Sequence, residues 1–105
     1  MRVISRRRLR EFWDRHPPAE QSLKNWYALT RKAQWQSIAD VRRTFPHADA
    51  VTLDCRKVVT IFNVAGNHYR LVVDILYQKK VVYVKVVLTH ADYDSEPWKA
   101  RICRE

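Results

Sequence analysis

Three closely spaced runs of β-branched and aromatic residues constrain the fold of this chain most. They are VVTIFNV at 58–64, HYRLVVDIL at 68–76 and VVYVKVVL at 81–88. These residue types favour strands. The linkers between the runs, 65–67 and 77–80, have the right length for antiparallel hairpins. The second half therefore predicts an antiparallel meander.

The first half has helical periodicity instead. Leu9, Phe12 and Trp13 recur at helical spacing, and Pro17-Pro18 ends that helix near His16. Pro18 can open a second helix, whose expected buried stripe is Leu23, Trp26, Tyr27 and Thr30. A third helix is predicted from Ser37 to just before Pro46, and a short C-terminal helix carries Trp98 and Ile102. A further strand is predicted around Val51, Leu53 and Cys55, and a brief edge strand at Val3-Ile4.

Together these elements predict an α+β fold in a single domain, 1–105, with N-terminal helices packed on one face of a small antiparallel β-sheet. Alternation within the last two runs predicts which residues share a face. The expected core face holds Tyr69, Leu71, Val73, Ile75, Val82, Val84, Val86 and Leu88. The opposite, mixed polar face holds His68, Arg70, Val72 and Asp74 opposite Tyr83, Lys85, Val87 and Thr89. Arg70 is thus expected beside Lys85, with His90 following at the strand end.

The charge balance predicts an anionic partner. Lysine and arginine total 20 against 11 acidic residues, which gives a formal charge of +9. Nucleic acid is the usual partner of such a chain, although an acidic protein would satisfy the same field. No apolar run approaches the ~18 residues of a membrane span, and the arginine-rich start lacks the apolar stretch of a secretory signal. These absences predict a cytoplasmic protein.

The cysteines indicate no metal site. Cys55 and Cys103 lie far apart and match no metal-ligand spacing. Reduced thiols are the default expectation and a disulfide stays possible. Cys55 is expected to be an inert strand residue. No cofactor or metal is predicted.

Arg70 and Lys85 admit two interpretations. Two cations on adjacent strands repel unless an anion lies between them. Asp74 could pair with either on a solvated sheet face, which would contribute little. Alternatively Arg70 binds phosphate oxygens in a bidentate manner, with Lys85 as a point charge.

The segment LTHADYDSEPWK, 88–99, holds side chains of the kinds that RNA cleavage without a metal would need: groups that could act as base or acid, and a cation. His90 could act as base or acid, and Tyr93 could orient the substrate or stack on a base. A surface or capping role is the alternative for His90. Further RNA contacts are predicted at Asn67, His68, Arg56, Lys57, Asp94 and Lys99. A hairpin turn with positive φ is sufficient to explain Gly66, the only glycine.

Six arginines crowd the first helix and its approach, and most of them must face water: Arg2, Arg6, Arg7, Arg8, Arg10 and Arg15. They form either a solvated face or a contact surface for a phosphate backbone.

The motifs FNVAGNHYRLVV and VVYVKVVLTHADYD, in a basic chain of this length, resemble the HigB-type toxins of bacterial toxin–antitoxin pairs, within the RelE-like ribonuclease superfamily. The resemblance also covers the N-terminal VIS and the TFPHAD segment. It implies a RelE-like fold and an mRNA interferase that acts on mRNA in the translating ribosome. It also implies a helix-turn-helix antitoxin of the HigA type, and hence a toxin–antitoxin hetero-oligomer.

Carried over by position, the resemblance makes Arg70 the strand arginine that grips the scissile phosphate. Lys85, His90 and Tyr93 fall where the superfamily varies its polar groups. Some relatives carry lysines seven to nine positions before that arginine, where this chain has Ile61 and Asn63. His90 is therefore predicted to supply the acid–base function. A non-catalytic RNA- or ribosome-binding module and a pure protein-interaction partner remain the rival hypotheses.

Overall fold

Helices and strands alternate in blocks along the chain. A computed structural model describes all 105 residues. The elements are β1 (Arg2–Ile4), α1 (Arg6–Arg15), a 3-10 turn (Pro17–Ala19), α2 (Glu20–Lys32), α3 (Ile38–Thr44), β2 (Asp49–Thr52), β3 (Val58–Val64), β4 (Tyr69–Leu76), β5 (Val81–Thr89), α4 (His90–Asp94) and α5 (Pro97–Arg104).

The strands form one sheet in the order β1-β5-β4-β3-β2. Strands β2 to β5 pair in an antiparallel manner, as the short linkers predict. β1 lies parallel to β5, with Arg2 opposite Val81, so the complete sheet is mixed. Because no hairpin joins β1 to β5, their relative direction is not set by a turn. The predicted α+β class is confirmed.

The N-terminal helices cover one face of the sheet. Leu9 and Leu23 are fully buried there, and Trp26 meets Phe62 edge-on with ring centroids 5.5 Å apart. Because Leu9, Phe12 and Trp13 lie on one side of α1, the helix buries that side and leaves its arginines exposed. None of the helices is long and apolar enough to cross a membrane.

A β-bulge in β5 corrects the predicted register. Val73 pairs with Val84 but Val72 pairs with Val86, so Lys85 is an extra residue in its strand. Beyond the bulge every side chain changes face. Val87 therefore packs with the helix-side core, whereas Val86 and Leu88, which were predicted there, lie against the opposite face.

The opposite face is not the mixed polar surface that simple alternation predicts. A second apolar cluster covers it, because α5 docks there. Its buried members are Leu53, Val59, Ile61, Val72, Leu88, Trp98 and Ile102. The prediction that Trp98 and Ile102 belong to a docked C-terminal helix is confirmed.

The cysteines differ from their expectation. β2 ends at Thr52, so Cys55 lies in the exposed turn before β3 rather than within a strand. It forms a disulfide with Cys103 of α5, with the two Cα atoms 5.8 Å apart. The default expectation of reduced, inert thiols was therefore wrong. Close approach of the two cysteines depends on the docking of α5, which cysteine spacing alone does not reveal.

The turn between β3 and β4 has the positive φ angles that its glycine predicts. Ala65 and Gly66 both have positive φ, at 51° and 68°. A Cβ atom added at Gly66 would meet no atom within 4 Å. The glycine is therefore required by the backbone conformation and not by close packing.

Candidate functional site

The start of β4 and the end of β5 bring five predicted site residues to one end of the sheet: Asn67, His68, Arg70, His90 and Tyr93. Tyr69 pairs with Thr89, and the backbone N–H of His90 donates to the carbonyl oxygen of His68 over 3.0 Å. Arg70 therefore lies close to the point where β5 gives way to α4, the helix that carries His90 and Tyr93.

The guanidinium of Arg70 is held by the backbone of the β3–β4 turn. Its Nη1 donates to the carbonyl oxygens of Asn67 and Tyr69, over 3.0 and 3.1 Å. It pairs with no carboxylate, so the alternative of an Arg70–Asp74 pair is not realised. The Nε–H and Nη2 edge has no partner within the chain, and that edge can bind two oxygens of one phosphate.

Tyr93 supports this guanidinium. The Arg70 Cζ atom lies 5.5 Å from the centroid of the Tyr93 ring, within the range of a cation–π contact. On α5, Trp98 stacks on the same ring with centroids 5.4 Å apart and planes 20° apart. The Trp98 indole N–H also donates to the Tyr93 carbonyl oxygen over 3.0 Å. Arg70, Tyr93 and Trp98 thus form a continuous stack from the site into the second apolar cluster.

His90 is paired with Asp94 one turn later on α4. The Nδ1 atom lies 2.9 Å from the Asp94 Oδ2 atom, which leaves Nε2 unengaged. The two side chains are 52% and 62% exposed, so the pair orients the imidazole without burying it. Thr89 caps this helix by accepting from the Asp92 N–H over 3.1 Å. Asp94, a predicted RNA contact, thus directs its carboxylate at this imidazole.

The profile of the HigB toxin family, the RelE-like toxic component of a toxin–antitoxin system, matches residues 19–96. The chain belongs to this family. The matched segment contains Arg70, His90 and Tyr93, and residues 97–105 lie outside it. The resemblance seen in the FNV and TH motifs is confirmed, and membership implies an antitoxin partner.

The curated relatives that the chain resembles are named mRNA interferases. The chain is 26% identical over 95 residues to the mRNA interferase HigB of Escherichia coli O6:H1 (strain CFT073), which covers 90% of both chains. It is 24% identical over 94 residues to the mRNA interferase toxin HigB of Escherichia coli K12, covering 90% of this chain and 88% of the relative. The mRNA interferase HigB of Shigella flexneri matches with the same values.

Lys85 lies on the α5 side of the sheet, away from the Arg70 end. Arg70 pairs with Leu88, so Lys85 lies three residues farther along β5, roughly 10 Å away. Its Nζ atom is 3.0 Å from the Glu105 carboxylate. It lines an open groove of about 470 Å³ together with Arg8, Trp98 and Arg101. Arg70 does not line this groove. The register without a bulge predicts that Arg70 and Lys85 are neighbours, and that prediction was wrong.

The remaining predicted contacts are dispersed. Arg56 and Lys57 precede β3 and lie a full strand from Asn67, roughly 20 Å. Lys57 donates to the carbonyl oxygens of Ile102 and Glu105, each over 2.9 Å, so it is bound to the end of α5. Lys99 pairs with Glu96 over 3.2 Å. The exposed Asn67 and His68 alone stay close to Arg70.

Two residues near Arg70 were missed as site residues. Asn63 is its cross-strand partner, is exposed, and lies 3.5 Å from Asn67 through their side-chain amides. Its position two residues before the turn could have revealed it, because hairpin pairing places it opposite Arg70. Trp98 carries no such signal, since its contact with Tyr93 depends on how α5 folds back.

The arrangement as a whole is an open, cationic surface and not a pocket. Arg70 supplies a fixed positive charge with an unused bidentate edge, and Tyr93 offers an aromatic ring beside it. His90 adds a solvent-accessible imidazole held by a carboxylate. Such a surface can bind the phosphate of a single nucleic-acid strand and move a proton next to it.

Proposed function

We propose that this protein is an mRNA interferase, an endoribonuclease that cuts mRNA in the translating ribosome and so arrests translation and growth. The observation that carries the proposal is the Arg70 guanidinium, tethered to the turn with its Nε–Nη2 edge free, near the start of the helix that holds His90 and Tyr93. Family membership and the names of the curated relatives support the same activity.

In the proposed reaction the ribose 2′-OH loses a proton and its oxygen attacks the adjacent phosphorus. The P–O bond to the 5′-oxygen breaks, and that oxygen takes up a proton. The products are a 2′,3′-cyclic phosphate and a 5′-hydroxyl. His90 supplies one of the two proton transfers through Nε2, and Asp94 orients the ring. A positioned acid or base of this kind contributes about 10²–10⁴ in rate.

Arg70 stabilises the negative charge that develops on the phosphorane oxygens. This charge is greater in the transition state than in the bound RNA, so the contact accelerates the reaction as well as binding substrate. Tyr93 keeps the guanidinium in place. Lys85, which lies farther along β5, acts on a flanking phosphate and not on the scissile one. These roles need no metal ion, so we propose a metal-independent reaction.

We propose a helix-turn-helix antitoxin of the HigA type as the partner that neutralises this activity in a toxin–antitoxin hetero-oligomer. The cytoplasm is the proposed location, because ribosomes and mRNA are there. The excess of 20 basic over 11 acidic residues suits both partners, since RNA and an acidic antitoxin surface are attracted by the same field.

A non-catalytic RNA- or ribosome-binding module is the second candidate. The exposure of His90 favours it, because an imidazole that stays in water is less constrained than most catalytic groups. This candidate predicts binding that weakens with salt but leaves mRNA intact.

Expression without the antitoxin separates the two candidates. We expect growth arrest with new mRNA 5′ ends in primer extension, relieved by Arg70→Ala and by His90→Ala in folded protein. Arg10→Ala, an exposed arginine without a carboxylate partner, is the matched control and should stay toxic. Purified protein with mRNA, with and without ribosomes and with EDTA, then tests ribosome dependence and metal independence. Intact mRNA during growth arrest would support the binding module.

A further inference from the structure

Tyr93 is positioned by a residue that itself belongs to the C-terminal helix. Trp98 is 5% exposed, stacks on the Tyr93 ring and donates its indole N–H to the Tyr93 carbonyl oxygen. The same Tyr93 ring lies next to the Arg70 guanidinium. Any displacement of Trp98 therefore removes the support of the ring on which Arg70 rests.

Trp98 stays in place only while α5 is docked. This helix has eight residues, too few to be stable alone in water. Burial of Trp98 and Ile102 against the sheet holds its apolar side. The other attachments lie at its last turn, where carbonyl groups have no helical partners.

Three links fasten that last turn. The Cys55–Cys103 disulfide ties it to the turn between β2 and β3. Lys57, from the same turn, donates to two of its carbonyl oxygens, and Lys85 of β5 pairs with Glu105. The disulfide is the only covalent link among them. The β2–β3 turn is at the far end of β3 from Arg70, so the disulfide does not contact the site directly and acts on it through α5.

We propose that the Cys55–Cys103 disulfide is a redox-sensitive latch which, through Trp98, positions Tyr93 beneath Arg70. The proposal rests on the proposed function and adds a means of regulating it. Trp98 acts as a positioning residue and does not touch the RNA. The oxidised protein is the fully active form, and reduction to two thiols loosens α5 and lowers activity. Cys103 and Trp98 lie outside the segment that the family profile matches.

The reductant is a thiol or dithiol. Its thiolate attacks the sulfur of Cys55, the more exposed of the two cysteines, and the S–S bond breaks to release the Cys103 thiolate, which takes up a proton. A second thiolate attacks the reductant's sulfur in the mixed disulfide and releases Cys55 as the second thiol. Two electrons pass to the protein, and the reductant leaves as its own disulfide.

Cleavage by the oxidised and reduced protein tests the latch. Oxidised protein is compared with protein treated with dithiothreitol and then freed of it, on mRNA with ribosomes present. Alkylation and mass measurement report the thiols. We expect a roughly tenfold lower rate after reduction, the order of change that loss of one cation–π contact produces. Reoxidation with glutathione disulfide should restore it.

The variant Cys55→Ser/Cys103→Ser is the matched control. It should cleave slowly and respond to dithiothreitol by less than twofold. Equal cleavage by oxidised and reduced wild-type protein would overturn the latch. So would free thiols that persist under oxidising conditions, or an equal response of the double-serine variant to reductant.

Trp98 has its own test. We expect Trp98→Leu to lower kcat in the oxidised protein, while Trp98→Phe, which keeps a ring against Tyr93, restores most of it. A purely structural role would change the urea midpoint of both variants and leave kcat intact. Wild-type kcat for Trp98→Leu would therefore overturn the positioning role.

Hydrogen exchange distinguishes failure of the latch from failure of the proposed function. Reduction should lower amide protection in 90–104 and leave β3 and β4 unchanged. Loss of protection in a protein that cleaves no RNA in either redox state would support the latch and reject the ribonuclease. Unchanged protection and cleavage in both states would reject the latch and keep the ribonuclease.

Discussion

The guanidinium of Arg70 and the ring of Tyr93 lie 5.5 Å apart and belong to different layers of structure, β4 and α4. Neither residue is placed by its own element alone. The β3–β4 turn fixes Arg70 through two backbone carbonyl groups, while α5 fixes Tyr93 through Trp98. The candidate site therefore depends on both the β3–β4 turn and α5. Substitutions can measure separately what Arg70 and Tyr93 each contribute to RNA binding and cleavage.

Arg70→Lys tests the bidentate edge. Lysine keeps the charge but loses the planar fork, so RNA affinity should change little while the cleavage rate falls by about 10²-fold. Single-turnover cleavage and filter binding measure the two quantities. Arg10→Lys is the matched conservative change on the α1 surface and should leave both intact. A wild-type rate for Arg70→Lys would show that charge alone suffices.

Substitution of Tyr93 separates its ring from its hydroxyl group. Tyr93→Phe keeps the contact with Arg70 and the stack on Trp98, so we expect RNA affinity close to that of the wild type. Tyr93→Ala removes both and should weaken binding by about 0.5–2 kcal/mol, the range of one cation–π contact. Fluorescence anisotropy with a short single-stranded RNA measures the difference. Equal loss in both variants would instead assign the role to the hydroxyl group.

The pairing of His90 with Asp94 predicts a graded effect. His90→Ala should lower the cleavage rate by about 10²–10⁴-fold, because it removes a proton-transfer group. Asp94→Asn keeps the imidazole but weakens its orientation, and a smaller loss of about fivefold or less is expected because the exposed pair contributes at most about 1 kcal/mol. Single-turnover rates at fixed pH measure both. Asp92→Asn on the same helix is the control, since Asp92 does not contact His90.

Hydrophobic periodicity predicted most of the architecture because each strand and helix buries a face that its own spacing defines. This periodicity predicted the antiparallel meander, the buried stripe of Leu9 and Phe12 on α1, and the burial of Trp98 and Ile102 on α5. The bulge at Lys85 was not. One unpaired residue in a run of valines leaves no trace in the alternation, and it changed the face of Val86 and Leu88.

The site was predictable only where sequence neighbours are also spatial neighbours. Arg70 contacts Tyr93 and lies near His90 because β4 and β5 are adjacent in a hairpin that a short linker dictates. Lys57 and Cys55 depend instead on how α5 docks. Their contacts join residues 45 to 48 apart in the chain, which local pattern does not encode.

Substitutions at two adjacent positions of the turn between β3 and β4 should have opposite effects on the free energy of unfolding. Gly66 has a φ of 68°, where an alanine Cβ atom approaches its own carbonyl oxygen, so Gly66→Ala should cost about 1 kcal/mol of folding free energy. That cost corresponds to a fall of roughly 4–8 °C in Tm. Ala65 already has a φ of 51°, so Ala65→Gly relieves strain and should be neutral or slightly stabilising. Urea and thermal unfolding measure both changes.

RNA cleavage by folded Gly66→Ala should match that of the wild type, because this glycine shapes the turn and does not touch substrate. A loss of cleavage without a loss of stability would instead place Gly66 in the site.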